Sequence, residues 1–536
     1  MPTRSLSQTS FFDPAFLMPE CLEPGTVPWL LGTLGSSLFP AWLAGEWRGS
    51  GRRGRKAWPA PVLTALLVLR WSEEGMSRVA CVRRAEVDVR WRAAMGLRVG
   101  APTPSERTLR DFEAFLREYD ARVGTTRVVV LHEHLVRLCL SEGVAPDPQW
   151  AADSTPMWCY GAVQDTVRLL GDGLTRAGRW YARATTLTHK EVARAWKLPL
   201  LLSKSTKGHY RIDWRDPDAR AKVVTELAEA AVRVAESVEG TPDIQKSREG
   251  REALRLCRCL VRVVEQDLEQ DPQGRMVIAQ RVAENRLVSL TDPSARHGRK
   301  TRSVSFEGFK LHVLGDFASG LITAVRVAPA NVADNAPMHR LVAASRRAGA
   351  VMDRLLADTA YGSGRDRVKL RENGVRLVAP VPMRSSPGDR LTKDAFVLDF
   401  DARTATCPNG VTTSKATQVK AERPDERSTV FHWPSAGCST CPLQARCCEK
   451  GKNNKRLQLH PHERELRTVK EEWSREQTRD EYRPRAQFER LNHQLTRHGA
   501  RKARAWGLAS ATLQAHAIAI RCNLQLLAER YAERAP

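Results

Sequence analysis

Long apolar runs are missing from this chain. The longest, around Val62–Leu69 and Leu198–Leu202, are far too short to cross a bilayer. Met1 to Ser10 contains no apolar core of the signal-peptide kind, so residence in the cytoplasm, without membrane association, is expected. There is no internal repeat and no extended low-complexity tract, which excludes a repetitive architecture. Acid is also scarce relative to base. Asp and Glu number 61 against 85 Lys and Arg, for a net charge of +24. That sign and size favour a polyanionic partner, nucleic acid before membrane.

Apolar residues at 42% and charged residues at 27% describe a globular protein, and 536 residues are too many for one ordinary core. Twelve cysteines in a chain expected in a reducing compartment read as core residues or metal ligands, not disulfides.

Four regions are predicted. Residues 1–148 read as helical and DNA-binding. The basic run Arg52, Arg53, Arg55 and Lys56 precedes an apolar helix from Pro61 to Trp71. A further helix opens at Ser105 and runs to Arg117, with Ser or Thr as its cap. Basic loops beside helix starts suit contact with DNA phosphates. Residues 149–399 alternate strands and helices around a helical excursion at about 185–300. In that excursion Val224, Leu227, Ala231 and Val234 form one apolar stripe. Leu254, Cys257, Val261, Val264 and Leu268 form another, and the two helices are expected to pair. Cys257 and Cys259 read as core. Phe306–Asp316 and Leu321–Val327 read as a hairpin, followed by a helix, a strand ending at Asp358, another helix and a last strand. The fold class is therefore α/β with mixed strand pairing. Residues 400–455 are rich in Cys and turns, and 456–536 are helical.

Three acids stand in marked settings. Asp358 ends the apolar run Val351–Ala357 and is followed by Thr359-Ala360-Tyr361-Gly362, the way α/β folds present an acid at a strand's C-terminal end. Asp153 follows a short strand-like entry, Gln149-Trp150-Ala151-Ala152. Glu489 shares a helix face with Tyr482, Arg485, Asn492 or His493, and Thr496, which recur at three- and four-residue steps. A phosphodiester enzyme needs such a set: carboxylates for a cation, and a guanidinium for a phosphate. Clustered carboxylates repel unless a cation neutralises them, and Mg²⁺ prefers carboxylates, water and phosphate oxygens. Two such ions about 3.5–4 Å apart would activate the attacking oxygen and stabilise the leaving one.

Taken together, these stretches resemble the insertion-sequence transposases of the DDE class. Asp153-Ser154-Thr155-Pro156 with Gly161–Thr166 resembles the first-aspartate block, and Phe306–Val313 with Leu321–Val325 and Pro329-Ala330-Asn331 the hairpin block. Asp358–Gly362 resembles the second-aspartate block, and Tyr482, Arg485 and Glu489 fit a Tyr-x₂-Arg-x₃-Glu signature. The resemblance implies a ribonuclease-H-like catalytic domain and Asp153, Asp358 and Glu489 as ligands for Mg²⁺ or Mn²⁺. It also implies DNA contact by Tyr482 and Arg485 near the cleaved phosphate. The implied partners are terminal inverted repeats and target DNA, with a homodimer holding the two ends. The chain departs from the pattern twice: Thr496 stands where the signature continues with Lys, and Ala152 where a larger apolar residue is usual. The rival readings are a metal-dependent nuclease without strand transfer and a decayed DNA-binding protein.

Cys438-x₂-Cys441-x₅-Cys447, with Cys407 if it folds back, is a ligand set for structural Zn²⁺ or an iron–sulfur cluster. Comparable Cys-rich insertions occur in similar transposases between the second Asp and the Glu. His312 reads as a satisfied strand histidine. Asp316, Asp334 and Asp366 read as turn or helix-start acids, and Trp158 and Tyr160 as core or DNA-flanking aromatics.

Overall fold

The computed structural model describes residues 21–47, 57–301, 303–381, 390–449 and 451–534. The basic run Arg52, Arg53, Arg55 and Lys56 lies outside the described residues.

The N-terminal region is helical. It includes α1 (Val27–Leu34), α2 (Ala60–Ser72), α3 (Arg78–Val87), α4 (Val89–Ala94), α5 (Glu106–Arg117) and α6 (Arg127–Ser141). The predicted cap is present: Ser105 Oγ accepts from Thr108 N at 3.2 Å, and α5 buries Leu109, Phe112, Phe115 and Leu116. A continuous helical pattern over Ser77–Met95 is instead two helices, because Asp88 leaves helical geometry and caps α4 through Arg90 N and Trp91 N.

Strand β1 (Trp150–Trp158) opens the sheet. Three long helices follow, α7 (Thr166–Thr185), α8 (Pro217–Glu239) and α9 (Arg248–Asp267). The helical excursion begins with α7 at Thr166, directly after the turn that follows β1, and α9 packs against both α7 and α8. This moves the packing of α9. Its buried residues are Ala253, Leu256, Cys257, Leu260 and Val263, with Leu254, Val261 and Val264 only partly covered. A helix wedged between two others presents a broader and rotated apolar face than one pairing with a single neighbour. Cys257 and Cys259 are buried in this core, as expected.

The sheet continues with β2 (Arg296–Arg299), β3 (Ser305–Asp316), β4 (Ile322–Pro329), β5 (Arg354–Ala357) and β6 (Arg376–Val378). The order is β6-β5-β1-β3, and β2 and β4 both pair β3, one after the other. Pairing is parallel for β6–β5 and β5–β1 and antiparallel elsewhere, which bears out the mixed α/β class. Helices α10 (Met338–Arg347) and α11 (Gly364–Glu372) link the later strands. Glycine is required in the centre of this sheet. Gly308 has φ 148°, and a Cβ there would stand 2.3 Å from Met157 O on β1.

The two faces of β1 lie in different cores. Ala151 and Met157 pack with the N-terminal helices and with α14 (Leu508–Ala532). Trp150 and Ala152 pack with Met338 and Leu341 of α10, Leu355, Ala357 and Tyr361. Between β6 and α14, residues 396–459 form a small module of two three-stranded sheets around Phe396, Ala405, Phe431, Trp433, Leu457 and Leu459. Helix α12 (Glu463–Ser474) and α13 (Glu489–Leu495) follow. Among the described residues no helix is long and apolar enough to cross a membrane.

Candidate active site

Strand register brings the two aspartates together. In the parallel β1–β5 pair Ala151 faces Leu356 and Ala152 faces Ala357. Asp153 and Asp358 are the next residues on each chain. Alternation points both toward the face of Ala151 and Leu356. Asp358 also starts the turn Thr359–Tyr361, and its Oδ1 accepts from Ala360 N at 2.9 Å.

The segment carrying Tyr482, Arg485 and Glu489 crosses this face. Phe488, Leu491 and Leu495 are buried and anchor it in the core. Arg485 and Asn492, on the adjacent stripe, are thereby turned to the aspartates. Arg485 Nη2 lies 3.4 Å from Asp153 Oδ1, and Asn492 Nδ2 donates to Asp153 Oδ2 at 3.1 Å. The Arg485 guanidinium also sits 6.0 Å above the Tyr482 ring, which is itself edge-on to Trp473 at 5.0 Å. Glu489 occupies the same stripe but is exposed, and among the described residues nothing bonds its carboxylate.

Burial pushes the Asp153 carboxyl above the ordinary carboxylate range; Arg485 and the Ser154 amide oppose the shift and Asp358 adds to it. Asp358 is raised in the same way, by burial first, against the pull of Arg485 and with Asp334 adding. The site therefore holds more negative charge than its surroundings welcome. It also holds unmet polar atoms: Asn492 Oδ1 and Arg485 Nε are buried without partners. Carboxylate and amide oxygens are hard donors of the kind Mg²⁺ takes. The pair and the free carboxylate of Glu489 fit such an ion chemically. As the side chains stand, no three acid, imidazole or thiol groups among the described residues already grip one.

Several side chains differ from expectation. His312 is not fully satisfied: Nδ1 meets Tyr361 Oη at 3.2 Å, while the buried Nε2 has no partner. Burial lowers its pKa to about 4. Asp334 is no isolated turn acid, since Ser154 Oγ donates to it at 2.8 Å and Lys310 pairs with it at 3.2 Å. Nothing in its local sequence marks this, because both partners come from distant strands. Asp316 does close its hairpin, accepting from Gln149 N, Ala318 N and Ser319 N, while Ser363 caps α11 and Asp366, in its first turn, accepts from Ser363 Oγ and Asn335 Nδ2. Trp158 packs on Phe306, whereas Tyr160 is exposed and edge-on to exposed Trp506. Thr496 begins a π-turn, its hydroxyl bonded to His493 O at 3.0 Å.

Cys407 does fold back. It lines one cavity of about 50 Å³ together with Cys438, Cys441, Cys447 and Cys448. Burial raises the Cys447 thiol pKa, and Cys438, Cys407 and Cys441 add to the shift. The thiols surround the cavity without gripping an ion.

Two family models match the chain. The one described as Transposase DDE domain covers residues 280–524, and so includes Asp358 and Glu489 but not Asp153. The one described as Transposase domain (DUF772) covers residues 38–114. No curated protein and no solved structure matches. The two matches support an insertion-sequence transposase of the DDE class. Domains of this kind support transposition, a form of DNA recombination, and imply DNA as substrate.

Proposed function

We propose that this transposase binds the terminal inverted repeats of its own element, cleaves the DNA ends and joins them to target DNA. On this reading the sheet is a ribonuclease-H-like catalytic layer. Asp153, Asp358 and Glu489 hold Mg²⁺, which when bound activates the attacking oxygen and stabilises the leaving one. The single observation that carries the reading is the register-imposed adjacency of Asp153 and Asp358 beneath Arg485 and Asn492.

The chain's own residues have separate tasks. Asn492 fixes the orientation of the Asp153 carboxylate through Oδ2. Arg485 offers a charged fork to a phosphate, and Tyr482 braces that guanidinium from below. The low polarity of the cleft strengthens each of these contacts. The N-terminal helices, with the basic run Arg52–Lys56, contact the inverted repeats, and two copies hold the two ends. A structural Zn²⁺ or iron–sulfur cluster in the Cys407, Cys438, Cys441 and Cys447 cavity belongs to the same proposal. A module with so small a core gains stability from such a staple.

The test is a Mg²⁺-dependent cleavage and strand-transfer assay on DNA carrying the flanking repeats, with wild type and Glu489→Ala. Joined products from wild type alone support the proposal. Cleavage without joining makes the protein a nuclease. Specific binding with neither, in Mn²⁺ and with supercoiled target as well, makes it a decayed binder. Elemental analysis of the same preparation reads the cysteine site, and less than one zinc or iron per chain removes it.

A further inference from the structure

Behind the aspartate pair, on the other face of the sheet, lies a second buried polar group. Ser154 stands opposite His312 in the β1–β3 pair, and Pro156 opposite Lys310. Ser154, His312 and Lys310 therefore share the face turned away from Asp153. Ser154 Oγ donates to Asp334 Oδ1 at 2.8 Å. Lys310 Nζ lies 3.2 Å from the same oxygen and donates to Val332 O at 3.0 Å, fastening the Asp334 loop to β3. Fully buried Tyr361 hydrogen-bonds His312 Nδ1 through its hydroxyl at 3.2 Å, at the β3 position that faces Ser154.

The chain positions of these groups give the network its significance. Ser154 directly follows Asp153. Tyr361 closes the turn that Asp358 starts, its N–H bonded to Asp358 O at 3.1 Å. The ladder between β1 and β5 consists only of Ala151–Leu356 and Ala152–Ala357, and it stops before the acids. Beyond it, both strand ends are tied to β3: Ser154 by its register with His312 and through Asp334 to Lys310, and Tyr361 through His312.

We infer that Asp334 is a positioning residue for the aspartate pair: anchored by Lys310, it holds Ser154 to β3 while His312 holds Tyr361 there, and these two anchors together fix the spacing of the Asp153 and Asp358 carboxylates. The inference rests on the proposed reading of that pair as a divalent-cation site. Mg²⁺ tolerates little distortion of its ligands, so loosening the spacing weakens binding before it disturbs the fold. A plain structural staple would do the reverse.

The test is Mn²⁺ binding to the full chain, followed by the EPR signal of the free ion. Asp334→Asn is expected to weaken binding about ten- to a hundredfold, as removal of groups that orient metal ligands does. Tyr361→Phe, which removes only a hydroxyl, is expected to shift it the same way and keeps the test valid if the first variant does not fold. Melting curves report the fold. The half-saturating Mg²⁺ for cleavage should rise in parallel, more than the saturated rate falls. Wild-type Mn²⁺ affinity in folded Asp334→Asn and Tyr361→Phe, with binding abolished in Asp153→Asn, overturns the inference and leaves the cation site standing. Binding unchanged in Asp153→Asn overturns the site itself, and the inference with it.

Discussion

Two sets of buried polar side chains flank the central hairpin, and they are finished differently. His132 of α6, His516 and Asn523 of α14 meet beside β4. The His rings touch through Nδ1 atoms 3.1 Å apart, His132 Nε2 meets Ile322 O at 3.1 Å, and Asn523 both donates to Ile322 O and accepts from Ile322 N. No buried polar atom of these three side chains is left without a partner. At the aspartate site Asn492 Oδ1 and Arg485 Nε have none, and two acids stand side by side. A closed network holds elements together, whereas an open one with perturbed acids is kept for something the fold does not itself supply.

The largest effects should divide along this line. Asp153→Asn or Asp358→Asn is expected to lower cleavage by roughly a thousandfold or more, as loss of a member of a cooperating catalytic set does. The same changes should leave thermal stability unchanged or higher, because burial already disfavours both charges. Asn523→Ala should do the opposite. Leaving Ile322 N without its side-chain acceptor removes about 1–3 kcal/mol of stability with cleavage retained. Paired melting and cleavage measurements decide. An unfolded Asp358→Asn, or a stable but inactive Asn523→Ala, would erase the distinction.

Acid should separate the regions by sign. Burial lowers the His132 pKa to about 4, and His516 is driven down too, by burial and then by His132 and Arg326. The folded state therefore binds fewer protons than the unfolded one between about pH 6.5 and 4. Stability falls as pH falls through that window, by on the order of 3 kcal/mol for His132 alone. His312 and His498, also lowered to about 4, add in the same direction. The aspartates act oppositely. Their raised folded pKa makes stability increase as pH falls toward the ordinary carboxylate range. Denaturant titrations from pH 7 to 4 should show a net loss in wild type and a shallower one in the double variant His132→Gln, His516→Gln. An unchanged slope would mean the pair is not held neutral.

Local features were legible because their causes are local. The Ser105 cap, the β3–β4 hairpin and the strand ending before Asp358 are written in neighbouring residues. The pairing of Asp153 with Asp358 was suggested by two separate motifs, but only strand register makes them adjacent. Asp334 was read as a turn acid because its partners, Ser154 and Lys310, are contributed by other strands. The turn after β1 ends at Asp165, which caps α7, another local signal. Folding Cys407 onto Cys438, Cys441 and Cys447 depends on the sheets between them.

The smallest expected effect ties the comparison to the cation. A ligand that binds only the folded state stabilises it by an amount set by its concentration over its dissociation constant, about 1–3 kcal/mol at ten- to a hundredfold excess. Mg²⁺ or Mn²⁺ should raise the wild-type melting temperature accordingly and leave Asp153→Asn unmoved. The gain should also depend on pH. Cation and proton compete for carboxyls whose proton affinity burial has already raised, so the increment should shrink as pH falls toward the ordinary carboxylate range. An increment that persists in Asp153→Asn, or that ignores pH, would locate the cation elsewhere in the molecule and leave the open network without its ligand.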